Sequence, residues 1–487
     1  MLDSRPSHAV RGAAKIAAAS YLANLAGIAS GIVVPRFLGK EAYGEYAFLA
    51  AAFSMAVGLS ELGLGLVITR HFAPLYDSGE HEKATGLYKA IFISRFISGF
   101  IASVGCFIFL ELSNPFQSPL AASIIILFLV LLLNVTDSLF RLQLGAQRYG
   151  YWGLIFPMRS FTRLLLVVPG FLIAGIPGAV GGLLLGECFI SMMGFRLSRS
   201  VIPHWKVKAD FKTLLSHTSL AGLNYTNQLI GVLERYIGVM MVAFITFSAD
   251  MTGYYYLAMR LVLLLFSAPM QSFNSLTPTL SILHEQRDTE RLSAWIGLAA
   301  RCGILAFIMI WGVFSLVGRS AISFVLGESF EPVYSLLFIL LLSSPFQWLG
   351  TIFYQVCNVY RRPGLNIPAG VVRIIIFVLL GIWFLELWDV TGLAAAYSIS
   401  FVLSCGVTYL LVWLILGMRI SPMRFIILLL CALPYIGGLL WAEGLWERLA
   451  AALTASAIAL AVAHITGALR INDLSNLYRS LKGDGIK

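Results

Sequence analysis

Charge is scarce in this sequence. Asp, Glu, Lys and Arg make up 12% of 487 residues and hydrophobic residues 59%, too little polar surface to solvate a globular chain of this length. The expected solvent is lipid. Cysteine is sparse as well: Cys106, Cys188, Cys302, Cys357, Cys405 and Cys431 all fall inside apolar runs, with no CxxC and no clustering with histidine, which points away from a disulfide framework and from a zinc site. A basic patch is missing too. The net charge of +10 is scattered between apolar runs, so a membrane topology explains it better than a nucleic-acid partner does. Nor is there a short apolar region with a clear cleavage site at the start; the stretch from Ala13 to Val34 is long enough to span and is expected to be kept as the first helix.

What the chain does have is long apolar runs. A span needs roughly 20 apolar residues, and such runs fall near 13–35, 45–69, 85–110, 119–140, 151–172, 178–197, 216–247, 253–282, 292–317, 332–358, 364–385, 391–416, 423–442 and 447–469. The sequence therefore predicts an all-α polytopic membrane protein of about fourteen transmembrane helices, with both termini on one side. Basic residues orient it. With cytoplasmic termini, the inner segments take Arg196, Arg199, Lys206, Lys208 and Lys212 between helices six and seven, while the outer loops hold only Arg36, Lys40, Arg319 and Arg448. The longest outer loop, Gly318 to Glu331, has no room for a catalytic domain, so an enzyme is not expected. Glu41 and Glu45, the nearest thing to a carboxylate dyad, read as solvated loop charge.

The two halves repeat one another. Arg148, Gly150, Arg159 and Gly178 recur as Arg362, Gly364, Arg373 and Gly392, each offset by 214. Gly44-Glu45-Tyr46 matches Gly253-Tyr254-Tyr255 at offset 209, and Arg95 matches Arg301 at offset 206. The expected organisation is two parallel six-helix repeats plus two extra C-terminal helices: an N-terminal lobe over 1–198, a basic cytoplasmic linker over 199–215, a C-terminal lobe over 216–416, helices 13 and 14 over 417–469, and a cytoplasmic tail over 470–487.

Within the spans, Lys89, Arg95, Arg159, Arg163, Arg235, Arg260, Arg301 and Arg373 face only four acids, Glu61, Asp137, Glu187 and Glu234. A charge in lipid costs at least ~2.5 kcal/mol, so these side chains should meet a polar cavity or a partner. The expectation is a central cavity between the repeats, lined by Arg95, Arg159, Arg163, Arg260, Arg301 and Arg373, that receives an anion; arginine's planar fork suits phosphate. Arg159 and Arg163, spaced i, i+4, share one helix face. Structural pairing with the acids, or snorkelling at helix ends, is the competing expectation for any single arginine. Glu61, Glu187, Glu234 and Asp137 are candidates for H⁺ or Na⁺ coupling, with Glu234 as readily a local partner of Arg235; no other cofactor and no metal is expected. Pro157, Pro169, Pro269 and Pro278 should bend their helices, and Trp152, Trp388, Trp441 and Trp446 read as interfacial belts.

The segments VVPRFLGKEAYGEYAFLAA (33–51), SELGLG (60–65) and LGESFEPVYSLLFILL (326–341), with the six-plus-six-plus-two pattern, resemble the polysaccharide-transporter family of the multidrug/oligosaccharidyl-lipid/polysaccharide flippase superfamily over nearly the whole chain. The resemblance implies a flippase of the bacterial inner membrane that moves undecaprenyl-pyrophosphate-linked oligosaccharide, an O-antigen or exopolysaccharide repeat unit, from the cytoplasmic to the periplasmic leaflet by alternating access. It implies an anionic lipid-linked sugar and membrane lipids as partners, a polysaccharide polymerase and a chain-length regulator as co-workers, action as a monomer, and a lipid-tail guide in helices 13 and 14. Members often carry an aspartate in helix seven, where this chain has Glu234. A peptidoglycan-precursor flippase, or a drug or ion-coupled exporter of the same fold, are the alternatives.

Overall fold

The computed structural model describes residues 5–202, 207–274, 277–417 and 422–469; Lys206 and the expected tail 470–487 lie outside the described residues. Among the described residues every regular element is a helix. Lipid dictates this, because a backbone with no water to bond must satisfy its own N–H and C=O groups. The main helices are α1 (Arg5–Ser60), α2 (His81–Ser113), α3 (Leu120–Gly145), α4 (Tyr149–Arg199), α5 (Thr218–Thr246), α6 (Ala249–Asn274), α7 (Thr277–Glu285), α8 (Thr289–Leu326), α9 (Pro332–Leu342), α10 (Ser344–Val359), α11 (Asn366–Leu416), α12 (Pro422–Leu430), α13 (Leu433–Trp441) and α14 (Leu445–Ile465). Among the described residues nine helices are long and apolar enough to cross a membrane, or ten if α9 and α10, bent by 46°, count as one span. Large apolar side chains such as Leu112, Ile173, Phe324 and Leu453 point outward, as a lipid-facing surface requires. The expected interfacial residues Trp388, Trp441 and Trp446 are exposed and stand at helix breaks or ends.

Three helices are interrupted inside: α1 at Gly39, α4 at Ala174 and Gly175, and α11 at Trp388 and Asp389. The 51 residues of α4 would reach about 75 Å if straight, against a hydrocarbon core of about 30 Å. Instead the chain folds back on itself. A Cβ placed on Gly178 would lie 1.9 Å from the Gly170 carbonyl oxygen, and one on Gly182 would lie 2.3 Å from that of Leu166, so the two arms of α4 are antiparallel and in backbone contact. Only glycine allows that approach. In α11 a Cβ on Gly392 would lie 2.0 Å from the Phe384 carbonyl oxygen, and Ser404 in one arm donates to the Ala369 carbonyl in the other at 3.0 Å.

The chain divides into two compact units, Met1–Leu264 and Leu265–Lys487. The first holds α1 to α5 and the start of α6, including the linker that the sequence places between lobes; α1 packs on α2, α4 and α5, and α3 on α4. In the second, α8 is central, against α9, α10, α13 and α14. Pro157 and Pro169 lie within α4 and Pro269 within α6, whereas Pro278 stands at the second position of α7, where a helix tolerates proline without kinking.

At one end of the first unit the linker is tied down: the Asp210 amide donates to the Gly86 carbonyl at 2.9 Å and Lys89 Nζ to the Val207 carbonyl at 2.8 Å. Beside them the rings of His71 and His217 stack at 3.5 Å. Burial, then His217 and Arg70, lower the pKa of His71. A group that resists protonation only when folded makes folding less favourable once the unfolded chain binds the proton. Stability is therefore full above the ordinary histidine pKa of about 6.5 and is lost as pH falls through the lowered value. Thermal unfolding in detergent should show a midpoint that drops between pH 7.5 and 5.5, and drops less in His71→Gln; equal drops in the two proteins would refute the stacked pair as the cause.

Candidate functional site

The stretch SELGLG marks the end of α1 and builds the first part of the site. Leu62 and Gly63 both have positive φ, 54° and 66°, so the helix stops and Glu61 turns inward. Gly63 is required twice, for that φ and because a Cβ would lie 2.1 Å from the Ala221 carbonyl oxygen of the neighbouring segment. Asn224 Nδ2 donates to the Gly63 carbonyl at 3.1 Å and the Tyr225 hydroxyl to that of Leu59 at 2.9 Å, pinning the turn to α5. Glu61 there accepts from Arg141 in a short ion pair and from Gln228 Nε2 at 3.2 Å. Gly65 leaves the space that the Arg141 guanidinium fills.

Next to this pair lies a second knot. Arg159 donates from Nε and Nη2 to the two oxygens of Glu187, at 3.1 and 2.6 Å, and from Nη1 to Asp137 at 2.8 Å. Arg95, 1% exposed, places Nη2 4.0 Å from Asp137, and none of its three nitrogens makes a hydrogen bond among the described residues. Arg95, Arg141 and Arg159 thus stand with Glu61, Asp137 and Glu187, three bases with three acids. The face of α4 that was expected to offer Arg159 to a dianion has its guanidinium already held by two carboxylates. Three of the four acids expected to serve ion coupling hold arginines. Arg141, which sequence reasoning missed because it falls just past the expected end of helix four, is the partner that closes the balance.

The other two arginines of this unit are placed differently. Arg260 on α6 donates to Ser30 in a short hydrogen bond and to the Gly27 carbonyl at 3.4 Å, and its side chain engages the Tyr43 hydroxyl. Arg163 on α4 has Tyr46, Tyr256, Tyr236 and Tyr43 as its charged-state neighbours. Arg260 Nη1 and Arg163 Nε are buried without a hydrogen-bond partner, and among the described residues neither arginine forms an ion pair. The result is a niche with two permanent positive charges, walled by tyrosines. Arg163 lies fourteen residues into α4 and Arg260 eleven into α6, each about three turns or more from the start of its helix.

Glu234 on α5 is half-buried, and its neighbour Arg235 is exposed and donates to the Gly231 carbonyl at 2.8 Å. Arg301 and Arg373 belong to the second unit, on α8 and α11, and are half-buried; Arg373 sits over the ring of Phe401, 4.5 Å from its centroid. The proposed equivalence of Arg95 and Arg301 is two residues out of step. Arg95 is fifteen residues beyond its helix N-cap Glu80 and Arg301 thirteen beyond Asp288.

Comparison with known proteins agrees with this architecture. No curated protein matches the sequence. Among solved structures, the chain resembles a lipid II flippase, MurJ, in an inward closed conformation (15% identity, 93% of this chain and 98% of that one, TM-score 0.69). It also resembles an inward-facing multidrug resistance MATE family transporter of the MOP superfamily (14% identity, 80% and 93%, TM-score 0.68). A third is a MOP superfamily transporter from Pyrococcus furiosus (14%, 83% and 94%, TM-score 0.54), described as having a binding pocket of reverse polarity. At these identities the likeness establishes the fold of a multi-span transporter. The polysaccharide biosynthesis protein family matches residues 9–284, more than half of the chain, and the chain belongs to that family.

Proposed function

We propose that this protein is a flippase that carries undecaprenyl-pyrophosphate-linked oligosaccharide, an O-antigen or exopolysaccharide repeat unit, from the cytoplasmic to the periplasmic leaflet of the bacterial inner membrane by alternating access, with both termini in the cytoplasm. The observation that carries the reading is the niche of Arg163 and Arg260. Two guanidinium groups within a membrane protein, with no carboxylate bonded to either among the described residues, are costly to keep unless an anion visits them. A pyrophosphate presents paired oxygens that each fork can bind bidentately. The surrounding tyrosines offer hydroxyls to sugar hydroxyls and flat apolar faces to sugar rings. Membership of a polysaccharide biosynthesis family and a fold shared with a lipid II flippase support the same substrate class. A drug exporter of this fold is disfavoured by charge, because organic cations would be repelled by this niche.

The test is transport itself. Purified protein reconstituted into vesicles should move a fluorescent undecaprenyl-pyrophosphate oligosaccharide between leaflets faster than empty vesicles, and should leave a fluorescent organic cation where it started. Transport of the cation but not the glycolipid would overturn the proposal.

A further inference from the structure

Two glycines that the repeat sets equivalent, Gly44 and Gly253 at an offset of 209, also touch one another. Each is the fifth residue of a helical arm, one counted from the break in α1 at Gly39 and the other from the start of α6 at Ala249. A Cβ on Gly44 would lie 1.7 Å from the Ala249 carbonyl oxygen, and one on Gly253 would lie 3.1 Å from the Gly44 Cα and 3.3 Å from the Lys40 carbonyl oxygen. Ala249 is the counterpart of Lys40 at the same offset, so each glycine meets the carbonyl that begins the other's arm. The contact is a local pseudo-twofold crossing of two backbones, at a distance that only residues without side chains permit.

An ion pair lies beside the crossing on one side of its axis. Lys40 Nζ stands 2.6 Å from Asp250 Oδ2. Asp250 corresponds to Glu41 and Lys40 to Ala249, so the acid occurs in both arms and the base in one. The Lys40 side chain is 47% exposed, and a pair so open to water holds weakly and parts easily. The crossing also borders the niche. Tyr43 precedes Gly44, Tyr46 follows it by two residues and Tyr256 follows Gly253 by three; the Tyr43 ring lies 6.2 Å from each of the other two, and all three are neighbours of Arg163. Arg260 follows Gly253 by seven residues, two turns of α6. The niche is therefore closed at this end by touching backbones.

We propose that this crossing is an outer gate: Gly44 and Gly253 close the outer end of the niche by backbone contact, and Lys40 with Asp250 is the latch that parts when the niche opens outward. This rests on the alternating-access reading above and on the orientation that sets Lys40 in an outer loop. Gly39, with φ 76° and nothing within 4 Å of where its Cβ would be, gives the arm of α1 a joint about which to swing. The first test joins Lys40→Cys to Asp250→Cys with a short bis-methanethiosulfonate and follows the lipid-pyrophosphate oligosaccharide between leaflets of vesicles. Transport should be lost on joining and return on reduction, and the loss should need both cysteines. Unchanged transport after joining, or the same loss with one cysteine, would overturn the gate. The second test needs no substrate: Tyr256→Cys, behind the crossing, is labelled in spheroplasts by an impermeant maleimide added outside. Labelling above the background of the native cysteines should be slow with the latch intact and about fivefold faster with Lys40→Glu, which sets two like charges together. Equal rates would overturn the gate. Faster labelling in a protein whose wild type moves no glycolipid would uphold the gate and overturn the flippase reading beneath it.

Discussion

Replacing Arg163 and Arg260 together by alanine is expected to reduce translocation of a lipid-pyrophosphate oligosaccharide by a hundredfold or more while the protein still inserts and melts close to the wild-type temperature. The two halves of that expectation have separate reasons. Hydrogen bonds to charged groups contribute about 1.5–3 kcal/mol each, so losing one such contact at each arginine removes about 3 kcal/mol at the low end, and each 1.4 kcal/mol is a factor of ten. Folding should suffer little because no acid is orphaned: the pair forms no ion pair among the described residues, and the partners left behind are the Ser30 hydroxyl, which keeps its bond to the Gly27 carbonyl at 3.0 Å, and the Tyr43 hydroxyl. Lysine at both positions should give intermediate transport, since charge is kept but the bidentate fork is lost. The measurement is leaflet exchange in vesicles at equal protein density. Transport by the double alanine variant within about twofold of wild type, less than 0.5 kcal/mol, would remove the niche from the mechanism.

The opposite signature is expected at the clamp. Glu187→Leu should destabilise the protein by about 3–5 kcal/mol, the usual result of removing one partner of a buried ion pair, because Glu187 is 4% exposed and takes two of the donors of Arg159. Pairing it with Arg159→Met should recover part of the loss, since the Arg159–Glu187 pair is replaced by apolar volume while Asp137 gives up its hydrogen bond from Arg159 and keeps only Arg95 at 4.0 Å. Thermal unfolding and protease resistance in detergent would read both variants. If Glu187→Leu alone melts like wild type, the clamp is not structural; if the double variant is no better than the single one, the ion pair is not the reason.

The fold was legible from the sequence because lipid leaves a backbone so few options: long apolar runs had to become helices. The duplication was legible from four residues because Gly178 and Gly392 each sit where two backbones touch, and Arg148 and Arg362 where each hairpin begins, positions that tolerate little else. The site was legible only in part. Counting arginines against acids inside spans pointed to surplus positive charge, and two residues, Arg163 and Arg260, do stand apart from acids. The count could not say which arginines were spoken for, since Glu61 finds its partner in Arg141, 80 positions away and just beyond an expected helix end. Arg95 and Arg301 looked equivalent because an offset of 206 is close to the others; their helix starts, Glu80 and Asp288, are 208 apart. Periodicity places a residue on a helix face, but a partner from another helix depends on the turn that SELGLG makes, and that turn is set by contacts with α5.

The hairpin arginines also bear on how such a protein can diverge. A clamp of one guanidinium and two carboxylates cannot change one residue at a time without passing through a protein weakened by several kcal/mol, so Arg159, Asp137 and Glu187 are bound to persist or vanish as a group. Thr351, 214 residues after Asp137, carries no such charge: its hydroxyl bonds the Gln347 carbonyl of its own helix, and it can be exchanged alone at modest cost. Mutational drift should therefore collect in the second hairpin while the first stands still, which gives descendants of one duplicated gene a fixed frame and a separate place in which to try new cargo.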